Sequence, residues 1–226
     1  MPFYFQTVSP LLLDTLNKLV TFPELAGFRL VGGTALSLQL GHRESYDIDL
    51  FTDALYGTVD FVKLDNKIRE NFNYVDATIP VMNQLGKPYF IGLSRDEFIK
   101  VDLFYTDPFC FPAVHAGNIT IASPEDVIIM KLGIITGEPG GRKKDFWDLH
   151  ELLSRFSLRS MVSLFRQNSY TKLTEQEILN KIEDFSWADH DFPPRCLRGK
   201  YWELVKLDLE EEVNCLILPD NHNNFN

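Results

Sequence analysis

The sequence predicts an α+β protein in two lobes, a sheet-and-helix core over residues 1–121 and a helical lobe over residues 122–226. Three observations lead there. As far as Ile121, strand-like runs at 28–31, 46–51 and 98–105 alternate with segments whose apolar residues recur at helical spacing. Beyond Ala122 the alternation stops, and capping residues with 3.6-residue periodicity take over. With 226 residues, 45% apolar and 24% charged, the chain has the composition of an ordinary globular protein and can bury a substantial core.

In chain order, Ser9-Pro10 followed by Leu11, Leu12, Leu16, Leu19 and Val20 reads as a capped helix with proline at its first position. Residues 28–31 form a strand, 34–40 a short helix stopped by Gly41, and 46–51 a second strand reached through this short helical crossover. Phe61, Val62, Leu64, Ile68 and Phe72 mark a helix, and strand-like residues return from Tyr74 through Ile79. Turn residues fill 80–88, after which 89–93 and 98–105 read as an antiparallel meander. In its second strand Lys100, Asp102 and Phe104 share one face, leaving Asp102 flanked by apolar neighbours in sequence. After a short strand at 119–121, Ser123-Pro124-Glu125-Asp126 opens a helix that runs through Lys131 to a glycine-rich loop at 137–141. Further helices are predicted at 142–153, at 174–184 behind the capping box of Thr174 and Glu177, and at 199–213; the tail from Asp220 is polar.

A net charge of −10 argues against a broad, non-specific nucleic-acid surface, though not against a local basic patch. The three cysteines, Cys110, Cys196 and Cys215, lack the close pairing of zinc or redox motifs and read as reduced core thiols. With no signal-peptide pattern at the start and no apolar run of spanning length, a cytoplasmic protein without membrane association is expected.

The chemistry concentrates in two stretches. Gly32 and Gly33 allow a sharp turn and close backbone approach, with N–H groups at a helix start available for phosphate oxygens. Asp47 and Asp49, two apart on a strand, project to one face, where two hard oxygen ligands can share divalent cations. With Asp102 they make a carboxylate triad suited to two Mg²⁺ ions roughly 4 Å apart, an arrangement for phosphoryl or nucleotidyl transfer. Solvent-facing strand acids are the plain alternative. An EF-hand loop starting at Asp47 fails, because Thr52 and Thr58 stand where Gly and Glu are needed. A nucleotide-sugar glycosyltransferase also uses Asp-x-Asp, but that leaves Gly32-Gly33 unexplained. His42-Arg43 could contact a phosphate or cap the preceding helix. Lys131, on a helix rich in Ile, Leu and Met, reads on its own as solvent-facing. Lys144, Asp145 and Asp148 have surface ion pairs as their plain alternative, with a functional role favoured for Asp145, and Arg142-Lys143-Lys144 reads as a small basic patch for a triphosphate or an RNA end, or as a solvated helix start.

Apolar-Gly-Gly, then Asp-x-Asp after a short helix, then an isolated apolar-Asp-apolar strand resembles the DNA polymerase β-type nucleotidyltransferase superfamily. Within it, Gly32-Gly33-Thr34-Ala35-Leu36, Arg43-x-Ser45-x-Asp47-Ile48-Asp49-Leu50-Phe51, Lys131 and Lys144-Asp145-Phe146-Trp147-Asp148-Leu149 resemble the AbiEii/AbiGii toxin family. The resemblance spans about residues 28–153 and implies a mixed sheet flanked by helices, then a helical lobe closing a nucleotide cleft. It implies that Gly32 and Gly33 cradle phosphates, with Thr34, Arg43 and Arg142 nearby in nucleotide binding. Asp47, Asp49 and Asp102 would bind Mg²⁺ or Mn²⁺. Lys131 would reach a phosphate, and Asp145 would orient Lys131 or the acceptor. The departure is Gly33-Thr34 where many relatives have Gly-Ser; Thr34 supplies a hydroxyl one position later. The implied activity moves a nucleoside monophosphate from an NTP to a hydroxyl of RNA, such as a tRNA end, or of a protein, in a toxin-antitoxin or phage-defence pair with a separately encoded antitoxin. The alternative is a non-catalytic nucleotide- or partner-binding module that keeps the fold.

Overall fold

The computed structural model describes residues 2–77 and 85–217, so the expected strand end at Ile79, the turn at 80–84 and the polar tail lie outside the described residues. The chain divides into two compact units, Met1–Val127 and Ile128–Asn226. The first carries helix α1 (Pro10–Leu19), strand β1 (Arg29–Leu30), α2 (Gly32–Leu40), β2 (Asp47–Thr52), α3 (Phe61–Asn71), β3 (Tyr74–Asp76), β4 (Gly86–Ser94), β5 (Glu97–Tyr105), β6 (Val114–Ala116) and β7 (Ile119–Ile121). Helix α4 (Pro124–Thr136) runs across the division, and α5 (Lys143–Leu152), α6 (Leu158–Asn168), α7 (Glu175–Ile182) and α8 (Trp202–Ile217) follow.

The seven strands form one mixed sheet in the order β3-β4-β5-β2-β1-β7-β6, with β2 parallel to β5, β1 parallel to β7 and the other pairs antiparallel. Period-two alternation decides its faces. Ile48 and Leu50 of β2, Val101 and Leu103 of β5, and Tyr89 and Ile91 of β4 are at most 1% exposed and share the core with Leu12, Leu16 and Leu19 of α1. Fully burying such side chains contributes about 1.5–3 kcal/mol each. Asp47, Asp49, Lys100 and Asp102 occupy the half-buried face.

Several local signals act as the sequence predicts. The Ser9 hydroxyl accepts the Leu12 N–H at 3.1 Å, Gly41 ends α2 in the left-handed region at φ +68°, and Thr174 with Glu177 closes its capping box. Others need correction. β1 and β2 pair antiparallel, so no parallel crossover forms: nine-residue α2 leaves and returns at the same end of the sheet. Gly86 and Pro88 belong to β4 rather than to a turn. Among the described residues β3 pairs with Phe90, Ile91 and Gly92, and Pro88 pairs with Asp102 of β5 on its other side. None of the cysteines is a core thiol: Cys110 and Cys215 are exposed and Cys196 is intermediate.

In the second unit, Phe146, Trp147, Phe185 and Trp202 interlock, with Trp147 stacked on Trp202 at 6.4 Å between centroids. Glu151, 2% exposed, is neutralised by Arg198 and by Lys200 at 2.9 Å. Helix α6 and strand β6 stand outside the sequence reading. No helix among the described residues is long and apolar enough to cross a membrane.

Candidate active site

The antiparallel return of β1-α2-β2 assembles the first half of the site. Leu30 pairs with Leu50, and the Val31 N–H bonds the Asp49 carbonyl at 2.8 Å, which sets the next residue, Gly32, beside Asp49. Gly32 has φ +67°, and a Cβ there would lie 2.5 Å from Asp49 Oδ2 and 3.3 Å from its Cγ. Glycine is required twice over at this position, for the left-handed backbone and for room beside the carboxylate. The helix N-terminus therefore starts against an acid, leaving a backbone cradle that a side chain would fill.

Gly33 has a different reason. Its missing Cβ makes room for the Arg43 guanidinium, which would meet it at Nη2. Arg43 is 3% exposed and donates from Nη1 to the Glu44 carbonyl at 2.9 Å, so it packs the glycine turn from within. His42 is likewise fully buried. Thr34, 1% exposed, donates its hydroxyl hydrogen to the Asp47 carbonyl and accepts from the Ser45 hydroxyl at 2.8 Å. Its hydroxyl ties α2 to the start of β2, and that bond uses the hydroxyl's one proton.

The parallel register of β2 and β5 sets Asp49 opposite Asp102 and Asp47 opposite Lys100, bringing all three predicted acids onto one face of adjacent strands. Lys100 Nζ lies 2.5 Å from Asp102 Oδ2, while Asp102 Oδ1 is buried without a hydrogen-bond partner. A buried carboxylate oxygen in that state is costly unless a cation or donor meets it. Alternation alone puts Lys100 on the face of Asp102, but only the register reveals that it stands among the acids. Among the described residues, no group of three or more His, Cys, Asp or Glu side chains is arranged to hold a metal by itself. Mg²⁺ is ordinarily held by one or two carboxylates together with waters and substrate phosphates rather than by an all-protein cage. The Gly32 cradle beside Asp49, the orphaned Asp102 oxygen and the hard-oxygen donor set fit that mode.

The second unit carries its own buried charge element. Lys131 Nζ on α4 lies 2.6 Å from Asp145 Oδ1 and 2.7 Å from Asp148 Oδ2 of α5, with the lysine side chain 3% exposed and the two acids at most 1%. The plain alternatives, a solvent-facing Lys131 and surface ion pairs, do not hold, and the pairing of Asp145 with Lys131 that the resemblance implies is present. Lys131 lies on the buried side of α4 with Val127, Ile128, Leu132 and Ile135, and a lysine sealed there must be paired. Asp145 Oδ2 also accepts the Arg142 N–H at 3.0 Å, capping α5. Burial alone would push its carboxyl up; the charge and hydrogen bond of Lys131 override this and hold it below the ordinary carboxylate value. Arg142 itself is exposed, whereas Lys143 is buried with its ammonium 5.2 Å from the Trp202 ring centroid, so the expected basic patch is split.

Comparison with known proteins now bears on these arrangements. An uncharacterised protein of Aquifex aeolicus (strain VF5) is 26% identical over 215 residues, 88% of this chain and 93% of that protein. A solved Helicobacter pylori structure, described as a candidate nucleotidyltransferase, superimposes with a TM-score of 0.60 at 19% identity, covering 90% of this chain and 92% of that one. MenT4, described as the nucleotidyltransferase toxin Rv2826c of Mycobacterium tuberculosis H37Rv, superimposes with a TM-score of 0.56 at 14% identity, covering 92% and 84%. These likenesses show the nucleotidyltransferase fold. Residues 14–195 match the family described as nucleotidyl transferase AbiEii toxin of type IV toxin-antitoxin systems. A glycine turn set against an acidic strand, with that match over most of its length, makes this chain a member of the AbiEii nucleotidyltransferase toxin family.

Proposed function

We propose that the chain is a metal-dependent nucleotidyltransferase that moves a nucleoside monophosphate from an NTP to an acceptor hydroxyl and releases pyrophosphate. The observation that carries this reading is the contact of the Gly32 backbone with Asp49, in register with Asp102: a phosphate-accepting turn and hard oxygen ligands meet at one point. Asp47, Asp49 and Asp102 would hold Mg²⁺ or Mn²⁺. When bound, such ions activate an attacking oxygen and stabilise a leaving pyrophosphate. Gly32 and Gly33 present backbone at the start of α2 to the triphosphate. Thr34 and Arg43 act indirectly, fixing β2 and the glycine turn. Asp102 accepts the proton as the acceptor oxygen bonds to the α-phosphorus and the bond to pyrophosphate breaks. Asp145 and Asp148 hold the Lys131 ammonium in one place.

For the acceptor, the helical unit favours RNA over protein. Residues 152–174 contain Arg155, Arg159, Arg166 and Lys172 and no acid at all, in a chain of net charge −10. Arg159, Ser163, Arg166, Gln167 and Lys172 line an open groove of about 620 Å³ together with Glu175, which pairs with Arg166 at 3.4 Å, and Tyr170, next in sequence to the lining residue Thr171, is 80% exposed. Cations, hydroxyls and amides are the usual donors to a phosphate backbone, and an exposed ring can stack a base. The family's antitoxin would be the protein partner, encoded separately.

The test is a transfer assay with each α-labelled NTP on total RNA and on total protein. Asp47→Ala and Asp49→Ala are expected to abolish labelling; labelling that survives both sinks the assignment. Calorimetry that finds NTP and Mg²⁺ binding without any transfer would favour the non-catalytic module.

A further inference from the structure

We propose that Lys100 is a resident counter-cation of the acidic face, occupying Asp102 when no divalent ion is bound and competing with the ion that replaces it. The inference rests on the metal-site reading of Asp47, Asp49 and Asp102 and adds a residue that limits how tightly the site holds metal. Three observations carry it. Lys100 and Asp102 lie two apart on β5, on one face, with Nζ 2.5 Å from Oδ2. In the parallel register Lys100 stands directly beside Asp47, and Asp102 beside Asp49, so one lysine is set within a two-by-two patch whose other three members are acids. Finally, Asp102 Oδ1 is buried without a hydrogen-bond partner although Oδ2 is paired, so the ammonium satisfies only half of the carboxylate.

The physics has two sides. Three carboxylates on neighbouring strand positions repel one another, and like charges directly opposite destabilise a sheet. A cation among them relieves that repulsion in the absence of metal. The lysine side chain is 42% exposed on a flexible stem, so it can withdraw to solvent at modest cost, unlike the sealed Lys131. A divalent ion arriving at Asp102 competes with the ammonium for the carboxylate and then faces its positive charge nearby. Lys100 thus weakens metal binding while stabilising the metal-free sheet. Both effects follow from one charge, and both disappear with it.

The experiment measures Mn²⁺ binding to the full chain without nucleotide, by electron paramagnetic resonance titration, alongside thermal melting in chelator and in Mn²⁺. Lys100→Met keeps the stem and removes the charge, Lys100→Gln is a second neutral variant, and Lys100→Arg keeps the charge. Both neutral variants are expected to bind Mn²⁺ about three- to tenfold more tightly than wild type, the scale of one partly exposed ion pair and its residual repulsion. They should melt lower in chelator and gain more from Mn²⁺, while the arginine variant stays near wild type. Wild type that binds Mn²⁺ with neutral variants equal or weaker overturns the role of Lys100 and leaves the metal site standing. No Mn²⁺ binding by any of the proteins overturns the metal-site reading, and this inference with it.

Discussion

Gly32→Ala is the substitution that tests the site most directly. The residue sits at φ +67°, a conformation that costs a non-glycine residue about 1–2 kcal/mol. The added methyl would also lie 2.5 Å from Asp49 Oδ2, so the carboxylate must retreat by about 1 Å to reach ordinary carbon contact. Asp49 cannot take its strand with it, since β2 is held between β1 and β5. A displacement of that size in a reacting constellation costs on the order of 100-fold in rate. The variant is therefore expected to melt a few degrees lower and to lose roughly two orders of magnitude in labelled-NTP transfer, measured side by side with circular-dichroism melting. Gly33→Ala disturbs the same turn through another neighbour, because its methyl meets the buried Arg43 guanidinium rather than Asp49. A folded Gly32→Ala protein that transfers within about threefold of wild type would refute the argument that this backbone and Asp49 work at one point.

Lys131→Met leaves Asp145 and Asp148 buried without their cation and should cost about 3–5 kcal/mol in denaturant unfolding; a loss under about 1 kcal/mol would mean the element is not the buried triad described. Thr34→Val deletes the hydroxyl between Ser45 and Asp47 and should cost about 1–3 kcal/mol, with Thr34→Ser restoring most of it. Because the Asp145 carboxyl is held below its unfolded value of about 3.9, its ionisation stabilises the fold above that pH, and this is lost as pH falls through the lowered folded value. Asp145→Asn should accordingly show a shallower loss of stability between about pH 5 and 3 than wild type; matching slopes would contradict this.

Much of the candidate site in the first unit was legible because it depends on short-range patterns. Two glycines after an apolar run, acids two apart on a strand and an acid alternating with apolar residues each translate into a face or a turn without knowledge of the fold. What brings them together, the parallel β2–β5 register, is a long-range pairing with β3 and β4 between its strands in sequence, and no local pattern encodes it. That is why Lys100 stayed hidden. Lys131 was legible only in part: its own residue type on an apolar helix suggests a solvent-facing position, while the family resemblance pairs it with Asp145, and the structure shows that pair buried, with Asp148 as a second partner. Helix α6 had a readable stripe in Leu158, Met161, Val162 and Phe165 behind the Ser157 cap, but a serine-rich background obscured it. Thr34 shows the limit of residue type: a hydroxyl in a phosphate motif was as available to its own backbone as to a ligand.

The sheet order also governs when the acidic face comes into being during synthesis. Gly32, Asp47 and Asp49 emerge together and can meet through a short local return, whereas Asp102 joins them only once β5 is made and paired with β2. A nascent or truncated chain that stops before β5 holds the glycine turn and two acids but lacks the third. Every element of the proposed chemistry beyond the glycine turn and the first two acids is encoded from β5 onward, with Lys131 and Asp145 following on α4 and α5.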